Sequence, residues 1–335
     1  MKTFHAPFRG TGSRWSIAGA VRGAACAIFL AVCSPFAAQA QVPMLLFKSG
    51  FEPNTVINAP TAADCFGTGC VQSITGQDTS TGSTWQSNNI WGGSPIGFLL
   101  LADTPGIDPT TIRDYMFNQI VNVTGHNGTP TKVLYSQVTQ SGCCGMDPQS
   151  GATQNAFQID PSAEGGDLYI RYWLKYQPDL DRQLASPSWR YLFSWKTGTP
   201  GNDDGDYRTV VQVVSWCVGA NPCWEIIGDN AARNDPCFPG CRVVYWDEYN
   251  TTVPVPVGQW FKFEVFWHRS TGADGRVWMA VNGQQIVNHL GPNRIAKDIN
   301  RIFLSDVYSG TAYPLYQWMD DLEIWNGFPS DASPH

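Results

Sequence analysis

Charged side chains are scarce in this chain. Only 15% of its 335 residues are Asp, Glu, Lys or Arg, and the 28 acidic residues outnumber the 21 basic ones. Disordered chains and coiled coils carry far more charge, and nucleic-acid-binding proteins carry an excess of basic side chains. The composition therefore excludes these classes, and its aromatic content of 13% is also too high for a disordered chain.

The sequence also lacks an apolar run long enough to cross a membrane. Its leader has an apolar stretch at Ala24–Val32, shorter than the roughly 18 to 20 residues that a span requires, and Pro35 follows it. Basic residues without acidic ones precede this stretch, and Ala38-Gln39-Ala40 has the small residues of a cleavage site. We interpret residues 1–40 as a secretory signal peptide and expect a secreted protein, extracellular or periplasmic, with no membrane span.

Removing this leader leaves residues 41–335, with 17 basic and 28 acidic side chains. Such acidity disfavours nucleic acids and anionic membrane surfaces as partners. An acidic polysaccharide is still allowed, because a local basic cleft can lie on an acidic body. The segment has no low-complexity linker, repeat or abrupt change in charge, so we predict a single domain and expect a monomer.

Cysteines in the exported part point to disulfides. Cys26 and Cys33 leave with the leader, and the eight that remain are an even number. A zinc site is disfavoured because the sequence has no Cys-x-x-Cys pair. Adjacent Cys143 and Cys144 bond either each other or different partners. The other six are predicted to pair locally, unless Cys143 or Cys144 takes one of them as a partner: Cys65 with Cys70, Cys217 with Cys223, and Cys237 with Cys241.

Apolar side chains alternate with a period of two in many short segments. Residues 168–176 place Leu168, Ile170, Tyr172 and Leu174 on one side of a strand, with aromatic and cationic side chains on the other. Similar segments, rich in Val, Ile, Tyr, Phe and Trp, recur at Arg190–Trp195, Thr209–Trp216, Arg242–Trp246, Trp260–His268, Arg276–Val281, Ile302–Val307 and Tyr316–Trp325. These segments predict strands.

Turn signals separate the strands, and helical patterns are rare. Ser270–Gly275 and Asn282-Gly283 predict hairpin turns. Only Pro109–Asn118 and Pro292–Ile299 have the spacing of short helices. Many evenly spaced strands with almost no helix predict an all-β fold of two packed antiparallel sheets, a β-sandwich or jelly roll.

Three segments near the end of the chain resemble the closing half of the concanavalin A-like jelly rolls: Trp260–Trp267, Gly275–Gly283 and Tyr316–Trp325. That superfamily includes lectins, glucanases, laminin-G-like modules and polysaccharide lyases. Gly50–Glu52, Leu168–Trp173 and Val307–Gly310 are most similar to lyases related to heparin lyase I and glucuronan lyase. The resemblance implies a secreted lyase that cleaves an acidic, uronate-containing polysaccharide by β-elimination.

Such an enzyme neutralises a uronate carboxylate, removes the proton at C5 and assists the leaving oxygen. The residues support each role. We take His268, Tyr308 and Arg208 as catalytic candidates. Cations and polar groups close to aromatic residues on the predicted strands are candidates for binding the substrate: Arg171, Trp173, Lys175, Arg190, Lys196, Gln212 and Tyr316. Arg190 and Lys196 are predicted to share one strand face.

A glycoside hydrolase needs two carboxyl groups across the scissile bond. The nearest cluster is Asp320-Asp321-x-Glu323, but alternation predicts Asp320 and Asp321 on opposite faces, so we favour elimination over hydrolysis. Jelly rolls bring their termini together, so Glu52 on the first strand and Asp321 on the last are predicted to hold a structural Ca²⁺.

Two other functions are compatible with the same pattern. A non-catalytic, lectin-like protein would use aromatic side chains to stack on sugar rings and polar groups to fix their orientation. A structural cell-surface sandwich would bind no sugar. Retention on a polysaccharide without cleavage distinguishes the first from a lyase, and blank glycan arrays would favour the second.

Overall fold

The computed structural model describes residues 42–67, 69–85, 97–102, 106–140, 153–159, 167–184, 188–197, 207–219, 222–230, 243–293, 299–308 and 313–335. Within these ranges, helices are limited to α1 (Ile112–Tyr115), α2 (Leu180–Gln183) and a 3-10 turn at Ala62–Asp64. No helix in the described part of the chain has the length and apolarity that crossing a membrane requires.

Strands of the first sheet lie in the order β16, β15, β14, β9, β18, β7, β6, with β1 paired to β18. All described pairings are antiparallel. The strands are β1 (Leu45–Ser49), β6 (Met116–Thr124), β7 (Pro130–Val138), β9 (Leu168–Tyr176), β14 (Trp260–His268), β15 (Arg276–Val281), β16 (Gln284–Leu290) and β18 (Leu315–Trp325).

A second sheet has the order β13, β12, β11, β10, β17, β8, β5, β4, β2, with β3 paired to β4. Its strands are β2 (Thr55–Ile57), β3 (Cys65–Phe66), β4 (Gly69–Gly76), β5 (Gly97–Ala102), β8 (Thr153–Ile159), β10 (Trp189–Thr197), β11 (Arg208–Val214), β12 (Cys223–Asp229), β13 (Val244–Asn250) and β17 (Ile299–Val307). The predicted all-β, antiparallel two-sheet sandwich is confirmed.

The core lies between the two sheets and is built by period-two alternation. Ile170 and Phe263 of the first sheet and Trp195 and Val211 of the second are buried in one apolar cluster. Trp195 stacks on Trp267 across the interface, with ring centroids 4.1 Å apart and planes at 19°. Because alternate residues point to opposite faces, the remaining side chains of each strand form the outer face of its sheet.

Several local predictions are confirmed. Strands β9, β14 and β15 have the predicted bounds. Asn282 and Gly283 connect β15 to β16 with positive φ angles of 49° and 80°, as the tight hairpin turn requires. The disulfides Cys65–Cys70 and Cys217–Cys223 are present. Cys237, Cys241, Cys143 and Cys144 lie outside the described residues.

The helix predicted at Pro109–Asn118 is wrong in its second half. The chain is helical only over Ile112–Tyr115, and Met116 begins β6, which pairs with β7 along nine residues. Met116 and Asn118 both point into the molecule, so a period of two describes this segment better than helical spacing. Of the second predicted helix, Pro292–Ile299, residues 294–298 lie outside the described part, and Ile299 begins β17.

Candidate functional site

The outer face of the second sheet brings together four of the candidate residues: Arg208, Lys196, Gln212 and Tyr308. Strand register places Lys196 of β10 opposite Arg208 of β11, and Arg301 of β17 opposite Lys196. Arg301, Lys196 and Arg208 thus form a row of cations across three neighbouring strands, about 4.8 Å apart. We call this row the cationic row.

Each side chain of the cationic row has a neighbour that positions it. Arg208 donates from Nε and Nη2 to the two carboxylate oxygens of Asp229, at 2.6 and 2.9 Å. Lys196 Nζ and Arg301 Cζ lie 5.6 and 5.8 Å from the ring centroid of Phe303, which is buried. This geometry is typical of cation–π contacts and holds both cations on the face of the sheet.

Three aromatic side chains adjoin Gln212 on the same face. A β-bulge between Tyr191 and Phe193 shifts the register of β10, so that Tyr191 lies opposite Gln212. The ring of Tyr308 is 4.9 Å from that of Trp189 and 5.0 Å from that of Tyr191, and the Tyr191 N–H donates to the Tyr308 carbonyl oxygen. We call Trp189, Tyr191 and Tyr308 the aromatic cluster. Trp189 and Tyr191 are not among the candidates predicted from the sequence, although Tyr191 lies within the predicted strand segment and Trp189 directly precedes it.

Gln212 is fixed by a carboxylate on the next strand. Its Nε2 donates to Glu225 Oε2 at 2.5 Å, and the Tyr249 hydroxyl donates to the other oxygen of Glu225. Burial is the main cause that raises the pKa of Tyr249, and the hydrogen bond from Tyr249 to Glu225 raises it further. An amide has two N–H donors, so Gln212 keeps one for another acceptor.

Asp306 is a buried carboxyl group beside this face. It follows Ser305, whose positive φ of 47° interrupts the regular alternation of β17. Gln154 Nε2 donates to both carboxylate oxygens, at 3.0 and 2.9 Å. Burial raises the pKa of Asp306 to about 7, against the opposing influence of the Gln154 hydrogen bond, Lys196 and Arg190. A carboxyl group with such a pKa can exchange a proton near neutral pH.

We expect Asp306→Asn to change how stability depends on pH. With its pKa raised above the unfolded value near 3.8, Asp306 binds a proton more tightly in the folded protein, so its contribution to stability is lost as pH rises from about 4 to about 7. The free energy of unfolding, measured with urea across this range, should fall less steeply in the variant. The exposed carboxyl of Asp181 provides the control, Asp181→Asn. Equal slopes for wild type and Asp306→Asn would contradict the prediction.

Arg190 lies between the sheets, so the prediction that it shares a face with Lys196 is wrong. The bulge after Tyr191 reverses the alternation, and Arg190 is fully buried. Its Nη2 donates to Gln317 Oε1 at 2.8 Å, and Gln317 Nε2 donates to Ser305 Oγ at 2.8 Å. Burial lowers the pKa of Arg190 to about 10. The side chain therefore links β10 to β18 and, through Gln317, to Ser305 of β17, the residue before Asp306.

The outer face of the first sheet carries the other candidates for binding or catalysis: Arg171, Trp173, Lys175, Tyr316 and His268. Arg171 donates to Glu323 and Asp331. Trp173 stacks on His126, with centroids 3.9 Å apart. The segment after β18 covers part of this face, where Phe328 packs on Phe266 and Ser333 bonds Glu264. The candidates are thus divided between opposite faces of the sandwich.

His268 belongs to the first sheet and is separated from Arg208 and Tyr308 by the core. Its Nδ1 lies 2.6 Å from Asp167 Oδ1, and its Nε2 lies 3.7 Å from Asp274 Oδ2. The hydrogen bond with Asp167 raises the pKa of His268. The structure therefore does not bring His268 together with the other two catalytic candidates.

A cluster of acidic residues lies where β1 meets β18. Asp321 has a positive φ of 47°, and the register of β18 shifts between Asp320 and Glu323. This bulge overturns the prediction that Asp320 and Asp321 point apart: one ligand atom from each, with one from His126, lie within 4.8 Å of one another. Glu52 follows β1 and accepts hydrogen bonds from Thr131 and Lys132.

Asp320 is the carboxyl group of this cluster whose pKa is raised. Burial, with the negative charges of Asp321, Glu52 and Asp78, raises the pKa of Asp320 to about 8. A bound cation would relieve this repulsion, and carboxylate oxygens are the ligands that Ca²⁺ prefers. The carboxylates of Asp320 and Asp321, with Glu52 nearby, therefore fit a divalent cation that prefers oxygen ligands.

No protein-family model and no curated protein matches this chain. Among solved structures, the glucuronan lyase of Trichoderma reesei is 13% identical and aligns 64% of this chain with 91% of its own, at a TM-score of 0.41. An alginate lyase is 11% identical, with 85% and 100% covered and a TM-score of 0.38. The binding domain of botulinum neurotoxin DC scores 0.39 at 8% identity, with 75% and 47% covered. Scores of this size do not define a family for the chain.

Proposed function

We propose that this protein is a secreted lyase that binds an acidic, uronate-containing polysaccharide on the outer face of the second sheet and cleaves it by β-elimination. The observation that carries the proposal is the cationic row on the same face as Gln212 and the aromatic cluster. Arg208 and Gln212 are four residues apart on β11, about 13 Å along the strand, so one polysaccharide chain can contact both ends of this surface.

The two ends of the surface suit different tasks. Lys196, Arg208 and Arg301 place three cationic groups at fixed positions, which suit the carboxylates of successive uronate residues. Of the three, Arg208 is already ion-paired with Asp229. At the other end, the second N–H of Gln212 can hydrogen-bond the carboxylate of the uronate that reacts, since Gln212 lies opposite Tyr191 and close to Tyr308. This contact would stabilise the negative charge that develops when the C5 proton is lost.

Tyr308 is the residue that we assign to proton transfer. A tyrosinate removes the C5 proton, the electron pair forms the C4=C5 double bond, and the C4–O bond breaks with its electrons on the leaving oxygen. The leaving oxygen then takes a proton from the tyrosine hydroxyl, which restores the starting state. The rings of Trp189 and Tyr191 hold Tyr308 in place.

A panel of soluble polymers tests the proposal: alginate, polygalacturonate, polyglucuronate and heparin, with uncharged hydroxyethylcellulose as control. We expect ultraviolet absorbance of an unsaturated uronate to rise with at least one acidic polymer. Lys196→Gln should raise KM several-fold, whereas Lys132→Gln, on the opposite sheet, should not. New reducing ends without absorbance would indicate hydrolysis and overturn the assignment.

Binding without cleavage is the second candidate function. It is favoured by the aromatic cluster, in which Trp189 and Tyr191 are partly exposed, because aromatic rings beside polar groups are typical of sugar-binding sites. This alternative predicts that the wild-type protein is retained by an acidic polymer in affinity electrophoresis while absorbance and reducing ends stay constant. The same panel therefore separates the two functions.

We also propose that Asp320 and Asp321 hold a structural Ca²⁺, with Glu52 in its surroundings. Addition of CaCl₂ after treatment with a chelator should raise the melting temperature, since a ligand that binds only the folded state stabilises it. Asp321→Asn should remove most of that rise. The control is Asp181→Asn, which changes an exposed carboxyl group far from the cluster in sequence. An equal rise in Asp321→Asn and wild type would show that calcium binds elsewhere.

A further inference from the structure

Aromatic side chains form a continuous row on the outer face of the first sheet. Strand register places Tyr135, Trp318, Lys175 and Trp260 side by side on β7, β18, β9 and β14, in that order. All four are half-buried, so they belong to the surface rather than to the core. With Gln119 of β6 beside Tyr135, the row crosses five strands, a distance of about 19 Å.

The rings of this row and its neighbours contact one another. Tyr135 lies 5.5 Å from Trp318, 6.0 Å from Tyr316 and 5.9 Å from Phe117, measured between ring centroids. Tyr316 and Trp318 pack edge to face at 5.3 Å. We call Phe117, Tyr135, Tyr316, Trp318 and Lys175 the aromatic platform. These five side chains are partly exposed and adjoin one another, and contiguous apolar patches on a protein surface mark interaction sites.

The positive charge of Lys175 indicates which kind of ligand the aromatic platform suits. Lys175 Nζ lies 5.3 Å from the Trp318 ring, and among the described residues Lys175 forms no ion pair. An unpaired ammonium group beside flat aromatic surfaces matches a sugar ring that carries a carboxylate: the C–H face of the ring packs on the aromatic side chain, and the carboxylate meets the cation.

A neighbouring cavity of about 220 Å³ on the same face is a weaker candidate. It is lined by Lys48, Arg171 and Lys262, but each cation is already paired in the structure. Lys48 and Arg171 bond Glu323, and Lys262 bonds Glu264. Its charges are therefore neutralised within the protein, in contrast to that of Lys175.

We infer that the aromatic platform is a second, non-catalytic contact surface for the acidic polysaccharide, on the face of the sandwich opposite the cationic row. The choice of polymer rests on the proposed function. One contiguous segment of polysaccharide cannot contact both faces at once, so the two surfaces would engage separate strands or distant parts of one strand. A second contact raises the local concentration of polymer at the enzyme without any change in the chemistry of cleavage.

Affinity electrophoresis in gels that contain alginate or polygalacturonate tests this inference. We expect Trp318→Ala and Lys175→Gln to weaken retardation of the protein by at least fivefold in apparent Kd. Phe66→Ala removes an exposed ring from the second sheet, where Phe66 is 49% exposed, and should leave retardation unchanged. Circular dichroism and melting temperature check that each variant is folded. If Trp318→Ala is destabilised, Lys175→Gln still tests the inference, because it keeps the apolar stem of the side chain.

The outcomes separate this inference from the proposed function. If the wild type cleaves a polymer and both platform variants are retarded as strongly as the wild type, the second surface is wrong and the lyase proposal still holds. If the wild type cleaves no polymer but the platform variants are retarded less than the wild type, the second surface is supported and the lyase proposal is overturned. If no polymer retards the wild type, and Trp318→Ala instead abolishes self-association in sedimentation, the platform is a protein interface and the inference is wrong.

Discussion

Tyr308→Phe is expected to lower kcat for β-elimination by about 10²- to 10⁴-fold, the usual contribution of a positioned proton-transfer group. The variant keeps the ring, which packs between Trp189 and Tyr191, and loses only the hydroxyl. Affinity for the polymer should therefore change little, because the cationic row and Gln212 are untouched. The measurement is the initial rate of absorbance increase on the polymer that the panel identifies, over a range of concentrations that gives kcat and KM separately.

Tyr191→Phe is the matched control for this prediction. It removes a second hydroxyl from the same aromatic cluster, while the backbone N–H that Tyr191 donates to Tyr308 stays in place. We expect its kcat to fall less than tenfold. A large loss in Tyr191→Phe together with a small one in Tyr308→Phe would assign proton transfer to Tyr191. Equal, small losses in both variants would exclude a tyrosine of this cluster from the chemistry.

The fold was predictable because each strand repeats the same alternation. In β9, Ile170, Tyr172 and Leu174 enter the core, while Arg171 and Lys175 stay on the outer face, as a period of two requires. Neighbouring strands such as β14 carry the same pattern, so many short segments independently specify a sandwich. Disulfides between close cysteines were predictable for a similar reason, since the short separation limits the choice of partner.

Sheet assignment, by contrast, cannot be read from alternation. The sequence shows that Arg171 and Arg208 each occupy one face of a strand, but not that these strands belong to different sheets with outer faces on opposite sides of the molecule. Pairing between strands distant in the chain decides this. Strand β18, for example, pairs with β9, β7 and β1, and none of these contacts is encoded locally.

Bulges account for the remaining differences between prediction and structure. A single extra residue reverses the orientation of every later side chain in a strand. The bulge after Tyr191 places Arg190 in the core and brings Trp189 to the surface, and the bulge at Asp321 brings Asp320 and Asp321 together. Both bulges lie at candidate sites, and neither involves a glycine or proline that would have indicated it.

Trp195→Ala should produce the largest loss of stability, on the order of 3 to 5 kcal/mol in the free energy of unfolding. Trp195 is 1% exposed, stacks on Trp267 and contacts Phe193 edge to face, so its removal leaves a cavity between the two sheets. Natural domains are stable by only about 5 to 15 kcal/mol, so the loss is a large part of the total. Urea unfolding followed by tryptophan fluorescence and circular dichroism measures it.

Lys196→Gln provides the control, because Lys196 is the next residue on β10 and points to the opposite face. We expect it to cost at most about 1 kcal/mol of stability, in line with other surface substitutions, but to weaken binding of the acidic polymer. Trp195→Ala should show the reverse, with lower stability and unchanged affinity of the folded protein. If both variants lost affinity and stability together, the two faces of β10 would not be independent, and the cationic row would owe its position to the core beneath it rather than to its own contacts with Phe303 and Asp229.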